Sequence, residues 1–390
     1  MSAARVVLSG ADVVLPDRVA TNLTVVLEGD RIVDLVSGPR EVGAGETRVD
    51  LTGHLIVPGF IDVHVHGVCG VDVLDGTDAV RAVARVLPRY GVTAFCPTTV
   101  ACSTEALSAF LQQVSDARAV IAPGAARVLP AHLETPFINP DYRGAQPLEA
   151  LATWTGATPE TRATYLSPDV GILTIAPEMP GGFELLTQAR AAGIRVSLGH
   201  TGATFDQAME AIDAGAGHAT HLFNRMTPMT HRDPGVVGAV LARDEVAAEI
   251  IADGAHVHPA VIRVVMAAKG PQRVMAITDG TAGSGLSRGA CATLGGRRIT
   301  VADTAVLDDG TLAGSVATMD RVFATLVTRA GQSLVDAATV CATTPARELG
   351  LVRHGAIAAG YIADLTVLTS SLTVAQTWIG GVRTSPQVSA

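Results

Sequence analysis

A (β/α)8 barrel, with a small β-sandwich unit made from both ends of the chain, is the fold class the sequence predicts. Three observations predict it. Eight short apolar stretches recur through the middle of the chain, from "LIVPGFIDVHVHG" to "RVMAITDG". Most gaps between them hold Ala-, Leu- and Arg-rich helical segments such as "TDAVRAVARVLPRYG", "TEALSAFLQQVSDAR" and "TFDQAMEAIDAG", and strands alternating with helices build a parallel barrel. No Gly-rich phosphate turn follows the first strand, as an open doubly wound sheet would require.

The elements follow in order. Residues 1–56 read as short alternating strands broken by Gly, Asp and Pro, and residues 352–390 read the same way, so the two ends are expected to form one β domain. Residues 57–351 are the expected barrel, whose strands include "VTAFCPTTV", "RVLPAHLETPF", "GILTIAPE", "IRVSLGHT", "GHATHLFN" and "AAEIIADGAHV". A Gly- and Val-rich stretch near 288–313 reads as a hairpin inserted after the eighth strand.

Composition narrows the function. The 390 residues are 48% hydrophobic and carry a net charge of -9 with both signs dispersed, so no basic stripe for nucleic acid is present. A phosphorylated or acidic substrate would need a local cationic pocket set against the global field. No stretch approaches the ~20 apolar residues that span a bilayer. Five scattered cysteines without a CxxC pair, and an N-terminus without a signal-peptide core, lead to the expectation of a cytoplasmic protein.

Chemistry in such a barrel sits at the C-terminal ends of the strands. Strand one ends with His64 and His66, two apart and so on one face. Strand three ends with His132 and Glu134 in "AHLETPF", strand five with His200 in "SLGHTGAT", and strand six with His221 in "HATHLFN". Strand seven ends near Asp253 and His256, and strand eight with Asp279 in "AITDG". Any one of these reads as an ordinary core or surface side chain. Four imidazoles and two carboxylates gathered at one end would be costly to bury independently, and a metal accounts for them together. The donors suit Zn²⁺, with Fe²⁺, Mn²⁺ or Co²⁺ compatible. His132 and His218 fall outside this ligand set, and His231, His258 and His354 read as loop residues.

An HxH on strand one, His on strands five and six and Asp on strand eight resemble the amidohydrolase superfamily. Its branches with a carboxylated lysine on strand four do not fit, since the chain's single lysine, Lys269, falls in the helix before strand eight. Within the superfamily the chain resembles the N-acetylglucosamine-6-phosphate deacetylases. The likeness rests on "PGFIDVHVHG", "HLETPFINPDYRGAQP", "TIAPE", "SLGHTGAT", "THLFNRMTPMTHRDPG", "IADGAHVHP", "AITDG", "LAGSVATMDR" and "ATTPARELGL", in register over nearly the whole chain.

That resemblance implies that Glu134, His200 and His221 hold the principal metal, that His64 and His66 allow a second, and that Asp279 is the acid/base. It further implies substrate contacts from Asn224, Arg225, Gln146, His256 and Arg232, with Arg232 supplied across a homodimer interface. Three positions depart from the family pattern: Thr135 for a usual Gly, Gln146 for a usual His, and Arg225 for a usual small residue. Thr135 is expected to narrow the space beside the metal. The alternatives are a related hydrolase of another N-acetylated sugar phosphate or N-acyl amino acid, and a metal-stabilised binding protein without turnover.

Overall fold

The computed structural model describes residues 5–41, 43–120 and 122–384. Eight strands run parallel around a barrel: β1 (Phe60–Val65), β2 (Val92–Thr99), β3 (Ala131–Glu134), β4 (Val170–Ile175), β5 (Arg195–Leu198), β6 (His218–Ala219), β7 (Ala247–Ile251) and β8 (Val274–Ile277). A helix follows each, from Ala79–Val86 after β1 to Met319–Thr328 after β8. The strands are buried almost throughout, because a parallel barrel is covered on both faces. Local signals start the helices. Ser103 accepts from the Ala106 amide at the head of Thr104–Ala119, and Thr204 with Gln207 forms a capping box before Phe205–Asp213.

The barrel closes between β1 and β8 at a single bridge, Val65 to Gly280, and the amides of His66 and Gly67 both donate to the Gly280 carbonyl. Asp62 reinforces this seam: its carboxylate accepts from the Thr278 hydroxyl at 2.6 Å and from the Thr278 amide at 3.3 Å. Strict alternation would put Asp62 beside His64 and His66. The pairing of β1 with β2 shifts register between Asp62 and Val65, and this irregularity turns the carboxylate toward β8 while both imidazoles meet inside the barrel. Burial, only partly offset by the Thr278 hydrogen bonds, pushes the Asp62 pKa up to about 7.

Strands from both ends of the chain share one eight-stranded sheet, in which Leu55–Pro58 pairs with Arg5–Val14 on one side and Leu365–Leu368 on the other. That sheet has its own core, including Leu8, Val25, Ile56, Leu365 and Trp378. The stretch after β8 forms three antiparallel strands, Cys291–Leu294, Arg297–Val301 and Ala305–Leu307, so the expected hairpin gains a third strand.

Candidate metal centre

Six side chains converge inside the barrel mouth. His64 and His66 come from the end of β1, Glu134 from the end of β3, and His200, His221 and Asp279 from just beyond β5, β6 and β8; all six are buried. His200, His221 and Asp279 adopt φ of 48°, 33° and 48°. A left-handed conformation is unusual for such residues, and strain of this kind clusters at functional sites. Here it ends three strands abruptly, at the points where the side chains join the cluster.

Two groups of ligand atoms result, joined by Glu134. In the first, His200 Nε2 and His221 Nε2 each lie 3.0 Å from Glu134 Oε1 and 3.1 Å from each other. In the second, His64 Nε2 and His66 Nε2 are 3.2 Å apart, and they stand 3.4 and 3.2 Å from Asp279 Oδ1. Glu134 completes it, with Oε1 at 3.7 Å from His64 and Oε2 at 3.5 Å from His66. A tetrahedron of zinc ligands has edges of about 3.3 Å, so these spacings match a shared cation.

Ring tautomers make the same point. His200 Nδ1 lies 2.9 Å from the Tyr142 carbonyl, which only accepts, so the neutral ring keeps its proton there and turns a lone pair toward Glu134 Oε1. His64 Nδ1 lies 3.0 Å from Glu249 Oε2, which likewise leaves a lone pair at Nε2, facing His66 and Asp279. Lone pairs pointed at carboxylates repel unless positive charge sits between them. The residues therefore fit a divalent cation.

The charges respond to this crowding. Burial pushes the Glu134 carboxyl up, but the imidazoles of His200, His221 and His64 outweigh it and hold it well below the usual range. Burial also opposes ionisation of Asp279, yet His64 and His66 bring its pKa below the ordinary value. His64 pays for desolvation and is still driven up to about 10 by Asp279, Glu249 and Glu134. The site demands positive charge, which protons or a metal supply by competing for the same lone pairs.

Above the ligands lies a pocket open to solvent, lined by His66, Glu134, Gln146, His200, His221, Asn224, Arg225, His256 and Asp279. Val100, Leu294 and Leu312 form its apolar wall, the last two from the inserted strands and the turn after them. That insertion is tied down by the Gly295 amide on Asp72 (2.7 Å) and by Arg297 on the Ala145 carbonyl (2.8 Å). His256 Nδ1 bonds Asp253 at 2.7 Å; burial works against its charge, but Asp253 outweighs burial and raises its pKa.

Other positions differ from their expected surroundings. Arg232 is exposed and does not line the cavity. Thr135 does not narrow the metal's surroundings: its hydroxyl donates to the Thr174 carbonyl (2.8 Å) and accepts from the Phe137 amide (3.1 Å), which directs it into the barrel wall. Gln146 lines the cavity but is also clamped, accepting from the Ala101 amide (2.7 Å) and donating to Glu134 Oε2 (2.6 Å). Arg225 lies over Gly144, where a Cβ would stand 2.7 Å from its Nε. His354 is not a free loop residue, since it pairs with Asp364 at 3.3 Å.

Two residues were missed by the sequence reading. Glu249, fully buried in β7, supports His64. Glu178, in "TIAPE", binds the loops after β3 and β5 together through Asn139 (3.0 Å), the Thr201 hydroxyl (2.6 Å) and the Gly202 amide (2.6 Å). A lone acidic residue in an apolar stretch was the available signal in both cases.

A parallel barrel with two imidazole–carboxylate groups at its C-terminal mouth defines a metal-dependent hydrolase, and the model of the amidohydrolase family matches residues 55–384. The N-acetylglucosamine-6-phosphate deacetylase of Rattus norvegicus is 38% identical over 375 residues, covering 91% of this chain and 90% of that protein. The N-acetyl-D-glucosamine-6-phosphate deacetylase of Mycobacterium smegmatis, solved in complex with N-acetyl-D-glucosamine-6-phosphate, superposes with a TM-score of 0.87 at 32% identity, covering 98% and 99% of the two chains. The N-acetylgalactosamine-6-phosphate deacetylase of Escherichia coli O157:H7 is 34% identical over 330 residues, covering 84% of this chain and 87% of that protein. The chain belongs to the N-acetylglucosamine-6-phosphate deacetylase family of amidohydrolases.

Proposed function

We propose that this chain hydrolyses the acetamide of N-acetylglucosamine-6-phosphate, releasing acetate and glucosamine-6-phosphate. The observation that carries this reading is the pair of ligand groups joined through Glu134 at the barrel mouth, in a chain related over most of its length to named deacetylases. A divalent ion, when bound, would supply Lewis acidity, making a water acidic enough to ionise near neutral pH and polarising an amide carbonyl. Glu134, His200 and His221 hold the principal ion, and His64, His66 and Asp279 offer a second position. Zinc suits these nitrogen and oxygen donors, as do Fe²⁺, Mn²⁺ and Co²⁺.

Asp279 is the acid/base. Its lowered pKa keeps it ionised at neutral pH, ready to take a proton from the attacking water. It then delivers that proton to the nitrogen, because an amine leaves only when protonated. Asn224, Arg225 and His256 bind the sugar phosphate, with Asp253 favouring the charged form of His256. Gln146 spends one N–H on Glu134 and keeps the other for substrate. Arg232 reaches the neighbouring site of a homodimer, a role supported by its exposure and its absence from this cavity's lining. Five free cysteines support a reducing, cytoplasmic location.

The test is acetate release by the zinc-loaded protein from N-acetylglucosamine-6-phosphate, its galactosamine epimer and unphosphorylated N-acetylglucosamine. Strong preference for the first supports the proposal. Preference for the epimer supports a second reading, which the relation to the Escherichia coli galactosamine enzyme favours. Equal or absent turnover on all three overturns both.

A further inference from the structure

We propose that Glu249 is a positioning residue: its carboxylate fixes His64 as a ligand of the second metal position, so its loss selectively weakens the ion at His64, His66 and Asp279. The inference rests on the metal-dependent reading above and extends it to a residue that touches neither substrate nor metal. Glu249 lies in β7, fully buried among alanines and isoleucines. A carboxylate is tolerated there only if it is paired. Its Oε2 meets His64 Nδ1 at 3.0 Å, and its Oε1 has no hydrogen-bond partner and lies 3.7 Å from His132 Nδ1.

His132 cannot substitute for it. Its Nδ1 lies 3.0 Å from the Val63 carbonyl and its Nε2 lies 2.8 Å from the Thr174 hydroxyl, which continues to Thr220 (2.7 Å) and Ser197 (2.6 Å). Both ring nitrogens are thus engaged, and the group formed by His64, His132 and Glu249 is a hydrogen-bonded support rather than a further metal site. Its consequence is directional. With Nδ1–H held by Glu249, the His64 lone pair points at Nε2, 3.2 Å from His66 Nε2 and 3.4 Å from Asp279 Oδ1. A carboxylate behind an imidazole both orients it and makes it a stronger donor.

The two ligand groups differ in this support. His200 is held from behind by a backbone carbonyl, that of Tyr142. Nδ1 of His66 and of His221 have no protein partner. Among the described residues Glu249 is therefore the one carboxylate hydrogen-bonded behind a ligand imidazole, and it acts on one group only.

The experiment compares zinc-loaded wild type with Glu249→Gln and Glu249→Leu. It measures zinc per chain and then the release of each ion to graded chelator. Wild type should hold two ions. In Glu249→Leu one ion should be lost while the other stays as tightly bound as in wild type. Glu249→Gln keeps an acceptor without the charge, so it should hold both ions, the second weakened about 10-fold and by less than in the Leu variant. kcat should fall in both variants with KM unchanged. A wild type that binds a single ion, variants that hold both ions with wild-type affinity, or variants that lose both ions equally would each overturn the proposal. If Glu249→Leu fails to fold, the Gln variant decides alone. Because the readout is zinc release, it stands even if the substrate proposed above proves wrong, and hydrolysis stands even if this fails.

Discussion

The floor and the rim of the barrel mouth are built differently. Floor residues Glu134, His200, His221, His64, His66 and Asp279 come from five strands, are buried, and are held by closure bonds, left-handed backbone or supporting partners. Rim residues Asn224 and Arg225 share one loop between β6 and its helix, and Arg225 is exposed. Gln146 and the inserted strands complete the rim from two other excursions. The difference teaches a division of labour. The scaffold fixes where a proton and an ion sit, while loops decide which molecule is presented to them.

Breaking the floor should cost the most. Glu134 is shared by both ligand groups, so Glu134→Ala should abolish measurable turnover and lower metal content at both positions, as read by zinc per chain. Asp279→Asn should lower kcat about 1,000-fold, in the range for loss of a general acid/base, while the ion on Glu134, His200 and His221 stays. If metal content collapsed in that variant too, the separation between chemistry and scaffold would fail. A protein with no hydrolysis to lose would instead be a metal-stabilised binder.

Rim changes should act on binding. Arg225→Ala should raise KM about 10-fold for the phosphorylated sugar, the worth of one charge-assisted hydrogen bond, and leave kcat and metal content alone. A change in kcat instead would move Arg225 into the floor. Gly144→Ala tests the same contact more gently. Its φ of 58° and the Arg225 Nε only 2.7 Å from the added Cβ mean that guanidinium or loop must shift, so KM should rise a few-fold.

The floor was legible from the chemistry of its residues, whereas Asn224, Arg225 and Gln146 at the rim were reached only through the family resemblance, and their actual contacts were not legible. Imidazoles and carboxylates at several strand ends carry their meaning in their chemistry, whatever the loops do. The rule of alternation brought His64 and His66 together, yet it would have placed Asp62 with them. Only the register shift, a product of barrel closure, turns Asp62 to Thr278. Glu249 could have been found by asking what neutralises the single carboxylate in "AAEIIA". Thr135 and Gln146 could not, since their partners Thr174 and Ala101 lie 39 and 45 residues away on other elements.

The smallest effect tests whether buried charge matters at the mouth alone. Glu348 lies near the opposite end of the barrel, 3.4 Å from His218 at the start of β6, 3.3 Å from Arg273 just before β8, and 2.7 Å from Arg347. Burial pushes its carboxyl up, but His218 and Arg347 outweigh burial and hold its pKa down at about 2, against an ordinary 4.5. A carboxylate with a depressed folded-state pKa stabilises the fold above its unfolded value, and that contribution drains away as pH falls from 4.5 toward 2. Glu348→Gln should therefore lower Tm modestly at pH 7 and flatten the loss of Tm over that acid window. At pH 7 its kcat, KM and zinc content should match wild type. If kcat fell with the fold intact, the two ends of the barrel would be coupled, and the floor would have to be redrawn to include the strand starts that position it.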